Sequence, residues 1–409
     1  MHPTLRANEE YGRGTSMRRS TLTLALALAG LGSSAAPAKT PAFKLDRVVL
    51  MMRHGVRPPT KAPALPASVT PERWPDWAVP PGWLTAHGTV AVTALGTADR
   101  AGFVRAGLLP ASGCPAAGSV AIIADSDQRT IATAGAWAAG FAPGCSLPSM
   151  HKPQDVDDPM FSPLGNGVML DPAAVNAAVK AAVGPGGVGA LDARYVPLLR
   201  KLDTILCAGK AACGVMQAPT GLTDATATSR PKLRGALDLA STAAQVLLLE
   251  YADGKPMADV GFGRATAADV TALSEFHALE FRLLARPLPV ARANLSLILP
   301  TIAAALTDPK AARITVFSAH DTQVANLGGL LGVHWHVPGY AEDDPAPGGA
   351  IVIEQVRDAA GKAFVRVKYR AQPLAALRAG GGAPFEQVLS VPGCGTLCPA
   401  DRFVAILRQ

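Results

Sequence analysis

Two guanidiniums flank an imidazole in Arg53-His54-Gly55-Val56-Arg57, and a second imidazole adjoins a carboxyl group in His320-Asp321. A third polar cluster, Asp125-Ser126-Asp127-Gln128-Arg129-Thr130, lies between them in the chain. Arginine is permanently charged and presents a planar fork of donors that fits phosphate oxygens. An imidazole among arginines holds its second proton poorly, because neighbouring cations disfavour the imidazolium. The neutral ring keeps a lone pair and can act as a nucleophile. The cluster therefore reads as a phosphoryl-transfer site. His54 attacks in line, while Arg53, Arg57, Arg129 and His320 hold the non-bridging oxygens. Asp321 faces the leaving oxygen as general acid. It needs a proton for that role, and a bound phosphate raises its pKa, so activity is expected to favour acidic pH. Taken singly, Arg-His-Gly fits a basic surface turn and His320-Asp321 a capped helix start. Together the three clusters argue against both.

Each cluster follows a short apolar run: 48–52, 119–124 and 313–318. Such runs fill strands buried on both faces. Gly55 and Pro58-Pro59 stop the first one abruptly. Parallel strands would bring the three C-terminal ends to one edge of a sheet, where ligands bind in open α/β folds. Residues 39–47 read as a linker and the Pro- and Trp-rich stretch 62–82 as an irregular loop. Helices are expected from about 84 to 109, and over 131–139 with Gly140 as its stop. Between 163 and 284 strand-like runs vanish and helical patterns take over at 190–208, 234–252 and 267–285. Further helices are expected over 291–306 and from 326 to 331, and a hairpin over 349–356 and 363–369.

The chain has 409 residues, 49% hydrophobic and 17% charged, which allows a sizeable core and excludes wholesale disorder. Net charge is +7 without long basic runs and with only 5% aromatics, so nucleic-acid binding has little support. Arg18-Arg19, an apolar stretch over 22–31 and Ala36-Pro37-Ala38 form an export signal, with Met17 a candidate true start. Residues 1–38 are thus expected to be removed, leaving a periplasmic or secreted protein with no membrane attachment. All six cysteines, Cys114, Cys145, Cys207, Cys213, Cys394 and Cys398, lie beyond the signal. An even count in an exported chain argues for disulfides, with fifteen possible pairings. Spacing favours the short loops Cys207–Cys213 and Cys394–Cys398, leaving Cys114 to Cys145 and no free thiol. His334-Trp335-His336 has H-x-H spacing, but no nearby carboxylate or thiolate was found to complete a metal set, so it reads as structural. His87 and His277 read as packing or hydrogen-bonding residues.

Arg53 to Thr60 with the distant His320-Asp321 resembles the histidine acid phosphatases. Trp83-Leu84-Thr85, the 121–130 segment, Asp158-Pro159-Met160-Phe161 and Asn326-Leu327-Gly328-Gly329 resemble the bacterial periplasmic phytase and glucose-1-phosphatase branch. The resemblance implies an α/β fold: a phosphoglycerate-mutase-like mixed sheet flanked by helices, with an inserted, mostly helical domain. Boundaries follow at 39–162 and 285–409 for the α/β domain and 163–284 for the insertion. It implies His54 as the nucleophile that becomes phosphohistidine and Asp321 as proton donor. Arg53, Arg57, Arg129 and His320 match phosphate ligands; Thr60, Lys61 and Asp125 match residues lining the substrate pocket. Three of the family's four disulfides match the pairs above. Met169 stands where the fourth would begin, and the chain lacks a terminal cysteine, so the C-terminal end should be less restrained.

Several departures bear on substrate. The usual H-D-T-N is His320-Asp321-Thr322-Gln323 here, and Gln245 corresponds to a glutamate and Asn294 to a pocket arginine; fewer specific charges around the outer pocket are expected to weaken the grip on a highly phosphorylated inositol. Lys61 argues the other way, since a lysine beside the site suits a polyanion. The expected function is an exported acid phosphomonoesterase, phytase-like, acting as a monomer on a small phosphate ester without metal or cofactor. The alternatives are a glucose-1-phosphatase-type enzyme, a mutase of the related fold, and a non-catalytic phosphate-binding relative.

Overall fold

Three apolar segments, Lys44–Arg53 (β1), Val120–Ala124 (β2) and Ile314–Ala319 (β6), form the middle of the molecule. The computed structural model describes residues 43–210 and 213–408; the expected export signal, 1–38, and the suggested start at Met17 lie outside the described residues. The other strands are Ser149–Met150 (β3), Gly221–Leu222 (β4), Leu233–Arg234 (β5), Ala350–Arg357 (β7), Ala363–Ala371 (β8), Phe385–Leu389 (β9) and Cys398–Pro399 (β10). Eight of these ten make one mixed sheet in the order β10-β8-β7-β1-β6-β2-β3, with β9 also on β8. β1, β6, β2 and β3 run parallel. β7 to β10 add antiparallel pairings. Every residue of β6 is buried, as an apolar strand covered on both faces requires. The expected linker 39–47 already joins the sheet from Lys44, pairing with β7 through a register shift between Leu45 and Arg47.

The helices are Ala86–Arg105 (α1), Gln128–Phe141 (α2), Pro172–Val183 (α3), Gly187–Cys207 (α4), Ala236–Ala252 (α5), Ala267–Leu284 (α6), Leu288–Leu295 (α7), Leu299–Thr307 (α8), Asp321–Leu331 (α9), Leu374–Arg378 (α10) and Ala400–Arg408 (α11). No single described helix is long and apolar enough to cross a membrane. Gly140 is not the stop of α2 but lies inside it. A Cβ there would meet the Thr93 carbonyl oxygen at 1.9 Å, and one at Gly96 would meet that of Trp137 at 2.2 Å. These glycines let α1 and α2 approach backbone to backbone. The single helix expected over 291–306 is two, α7 and α8, bent by 71°. Pro300 sits in the first turn of α8, where its missing N–H is tolerated, and it cannot continue α7.

The segment 163–284 is helical, but it also carries the β4–β5 ladder. Its first helix, α3, was not anticipated. Asp171 caps it by accepting from Ala173 and Ala174 N–H, Pro172 opens it, and Val175, Val179 and Val183 bury one face at i, i+4 spacing. Helix α11 was also missed; it buries Phe403, Val404 and Leu407. All three expected disulfides are present: Cys114–Cys145, Cys207–Cys213 and Cys394–Cys398. Met169 is exposed.

Candidate active site

The parallel pairing of β1, β6 and β2 delivers their polar ends to one edge. Arg53 lies opposite Ala319 and Ala124 opposite Ser318. The turns stay in register beyond the strands: His54 N–H donates to Ala319 O at 2.9 Å and Asp125 N–H to Ser318 O at 3.1 Å. Thus Arg53, His54, Asp125, His320 and Asp321 are fixed by the sheet rather than by loops.

His54 is buried, and its Nδ1 lies 2.8 Å from the Gly55 carbonyl. A carbonyl can only accept, so Nδ1 carries the proton and Nε2 keeps the lone pair. Arg57 Nε donates towards that Nε2 at 3.4 Å. Burial, then the positive charges of Arg57, Arg129, Arg53 and His320, push the His54 pKa well below its usual value. Burial lowers Arg57 to about 9, so it remains charged at acid and neutral pH. His320 packs edge-on to His54, with ring centres 5.6 Å apart.

Arg53 is 1% exposed; it donates to the Pro345 carbonyl and pairs with Asp321 through Nη2 at 3.1 Å. Arg53 Nε and Arg129 Nε are buried without a hydrogen-bond partner among the described residues. A buried donor left unsatisfied costs about 1–3 kcal/mol. A tetrahedral oxyanion beside His54 supplies the acceptors these groups lack.

His320 caps α9, and Asp321 is its first residue. Catalytic geometry and helix start therefore coincide here. Gln323 fixes the turn: its Oε1 accepts from His320 N–H at 3.2 Å and its Nε2 donates to Phe161 O at 2.8 Å. Asp125 accepts from His320 Nε2 at 2.6 Å. Burial alone would raise Asp125, but the His320 and Ser126 hydrogen bonds bring it below its usual pKa. Asp127 lies 3.4 Å from the same nitrogen and pairs with Arg129. Asp125, Asp127 and His320 offer donor atoms within 4.8 Å of one another, close enough to hold a cation. In the structure the imidazole and Arg129 already occupy these carboxylates.

Burial also works to raise Asp321, yet Arg53, His277, His54 and Arg57 together hold it well below the carboxylate range. His277, on α6, was read only as a packing or hydrogen-bonding residue. It does bond Asp344, Nδ1 to Oδ1 at 2.6 Å, but its Nε2 also stands 3.8 Å from Asp321 Oδ2. A lone histidine on a helix gives no sequence signal for this. Thr60 and Lys61 line a cavity of about 290 Å³ shared with Arg57, Gln245 and His277. His320, Thr322, Gln323 and Asn294 line a second cavity of about 350 Å³. His334 is not free of carboxylates as the sequence suggested, for Asp343 Oδ2 accepts from its Nδ1 at 2.6 Å.

A neutral imidazole among buried arginines at the end of a mixed α/β sheet defines a histidine phosphatase, a phosphoric monoester hydrolase. The chain belongs to the histidine phosphatase superfamily (branch 2), whose family model matches residues 44–180 and 275–370. It is 38% identical over 343 residues to phytase AppA of Escherichia coli (strain K12), covering 78% of each chain. It is 30% identical over 417 residues to a glucose-1-phosphatase of Salmonella typhimurium, covering 96% of this chain and 99% of the relative. The fold superposes on Hafnia alvei phytase in complex with myo-inositol hexakis sulphate with a TM-score of 0.82 at 33% identity, covering 91% of this chain and 98% of that one. For the Citrobacter braakii phytase the TM-score is 0.81 at 31% identity, covering 89% and 97%.

Proposed function

We propose that the chain is an exported, monomeric acid phosphomonoesterase of the phytase type, acting on inositol hexakisphosphate and other organic phosphates. The observation that carries this reading is His54, whose Nδ1 is tied to a carbonyl while Nε2 faces the arginine cluster. In the first step Nε2 attacks phosphorus, a nitrogen–phosphorus bond forms, and the ester oxygen leaves with a proton from Asp321. Arg53, Arg57, Arg129 and His320 hold the non-bridging oxygens, and Thr60 and Lys61 meet the rest of the substrate. Water then attacks phosphorus, Asp321 takes its proton, the nitrogen–phosphorus bond breaks, and inorganic phosphate departs.

Asp321 starts ionised against Arg53. A bound phosphate draws on the same guanidinium and repels the carboxylate, so its pKa rises on binding. Phosphate esters have a second pKa of about 6, so below it the monoanion brings the proton Asp321 needs. This supports an acid optimum. Three disulfides support export to an oxidising compartment. We read 163–284 as a helical domain inserted between 39–162 and 285–409; the family match breaks between 180 and 275, which supports that division.

A second reading, a sugar-phosphate phosphatase, draws on the near full-length likeness to a glucose-1-phosphatase. Initial rates on inositol hexakisphosphate and glucose 1-phosphate, over roughly pH 3 to 7, separate the two. The proposal expects the first substrate to dominate with His54→Ala inactive. Dominance of glucose 1-phosphate would favour the second reading. Binding of phosphate with no release from p-nitrophenyl phosphate would make the chain a binding protein.

A further inference from the structure

The cavity of about 350 Å³ beside His320 and Thr322 has a far wall that no part of the mechanism uses. That wall is Thr228, Ser229, Arg230 and Lys232. It comes from the turn joining β4 and β5, inside the 181–274 stretch that the family match does not cover.

We infer that Arg230 and Lys232 form a second anion subsite, which holds a non-scissile phosphate of the substrate while another phosphate faces His54. This rests on the phytase-type reading and names what selects a polyphosphorylated substrate. Three observations support it. First, the two cations share the cavity with hydroxyls and with His320, and no carboxylate lines it. An anion entering this space meets attraction from the wall without a competing acid, and the cavity is large enough for a phosphate.

Second, the turn is built rather than loose. Thr223 N–H donates to Lys232 O and Lys232 N–H to Thr223 Oγ1, both at 2.9 Å. Thr226 N–H donates to Ser229 O at 2.9 Å, and Ser229 N–H returns a bond to Thr226 Oγ1 at 3.1 Å. The turn is also anchored from outside. Asn176 Oδ1 on α3 accepts from Ala225 N–H, and Ala227 O accepts from Leu170 N–H, each at 2.8 Å. The backbone carrying both cations is thus fixed before substrate arrives, which reduces the ordering cost of binding. Third, Asn294 in the same cavity carries no charge, so Arg230 and Lys232 are the permanently charged groups of its lining.

A non-hydrolysable polyanion tests the subsite without requiring turnover of it. Hydrolysis of p-nitrophenyl phosphate is inhibited with myo-inositol hexakis sulphate and, separately, with inorganic phosphate, and the ratio of the two inhibition constants is read. In the R230A/K232A double variant the hexakis sulphate should weaken relative to phosphate by about tenfold, as for loss of two close charge-assisted contacts. The salt dependence of hexakis sulphate inhibition should flatten as well. R194A/R200A removes the same charge from the exposed face of α4 and should leave the ratio where it was. An unchanged ratio in R230A/K232A overturns the subsite, and so does an equal change in R194A/R200A, which would make the effect one of net charge. If the unaltered enzyme cleaves p-nitrophenyl phosphate but not inositol hexakisphosphate, the phytase-type reading falls, while the inhibition ratio still decides the subsite.

Discussion

Asp321 carries opposing demands. In the proposed mechanism it gives up a proton to the leaving oxygen, yet Arg53 and its neighbours hold it ionised in the free enzyme. The conflict resolves if substrate charge switches it, and that has a kinetic signature. Asp321→Asn should slow esters of poor leaving groups by orders of magnitude more than p-nitrophenyl phosphate, whose leaving oxygen needs little protonation. Equal slowing of both would remove the acid role. His277 acts on the same carboxyl from α6, and its charge is among those that lower the Asp321 pKa. In His277→Ala that influence is gone, so Asp321 keeps its proton to higher pH. The basic limb of the kcat profile should then move upward, and a limb moving down or staying fixed would show that His277 only packs. The sequence made Asp321 legible because it directly follows His320; it hid His277, whose place depends on how α6 lies across the sheet edge.

At the scale of elements, the sequence made visible what local composition dictates. Apolar runs ending in polar clusters identified β1, β2 and β6, since nothing but a buried strand suits them. Gly140 misled, because a glycine near a helix end looks the same whether it terminates the helix or admits a neighbour. Only the position of Thr93 distinguishes the two. Gly140→Ala should lower stability by about 1–3 kcal/mol through overpacking. Gly135→Ala, on an exposed turn of the same helix with nothing within 4 Å of its Cβ, should raise it by about 0.5–1 kcal/mol. Thermal melts of the pair check both signs, and a neutral Gly140→Ala would mean that α1 and α2 separate easily. The break between α7 and α8 is masked by a continuous apolar texture. The start of α3 is legible in Asp171-Pro172, a capping carboxylate followed by a proline in the first turn.

For the molecule as a whole, one buried acid tilts stability towards low pH. Glu250 on α5 is fully buried and accepts from Gly261 N–H at 3.1 Å. Burial raises its pKa from 4.5 to about 8. Between those values the folded state holds a proton that the unfolded state has lost, so stability falls as pH rises through that window and is fully present below it. Glu250→Gln should flatten the slope of melting temperature against pH from about 5 to 8. An unchanged slope would place the dependence elsewhere. The acid optimum proposed for the enzyme thus coincides with the pH range in which this buried group carries no charge.

The backbone around His54 is itself part of the ladder. Arg53 N–H donates to Gly349 O at 2.9 Å, and Gly348 N–H donates to His54 O at 3.0 Å. Amide hydrogen exchange at Arg53 and His54 should therefore be as slow as anywhere in the protein, because those amides open only when the central strands part. Heat should then inactivate the enzyme in one event with the loss of its sheet, leaving no folded but inert population along the way.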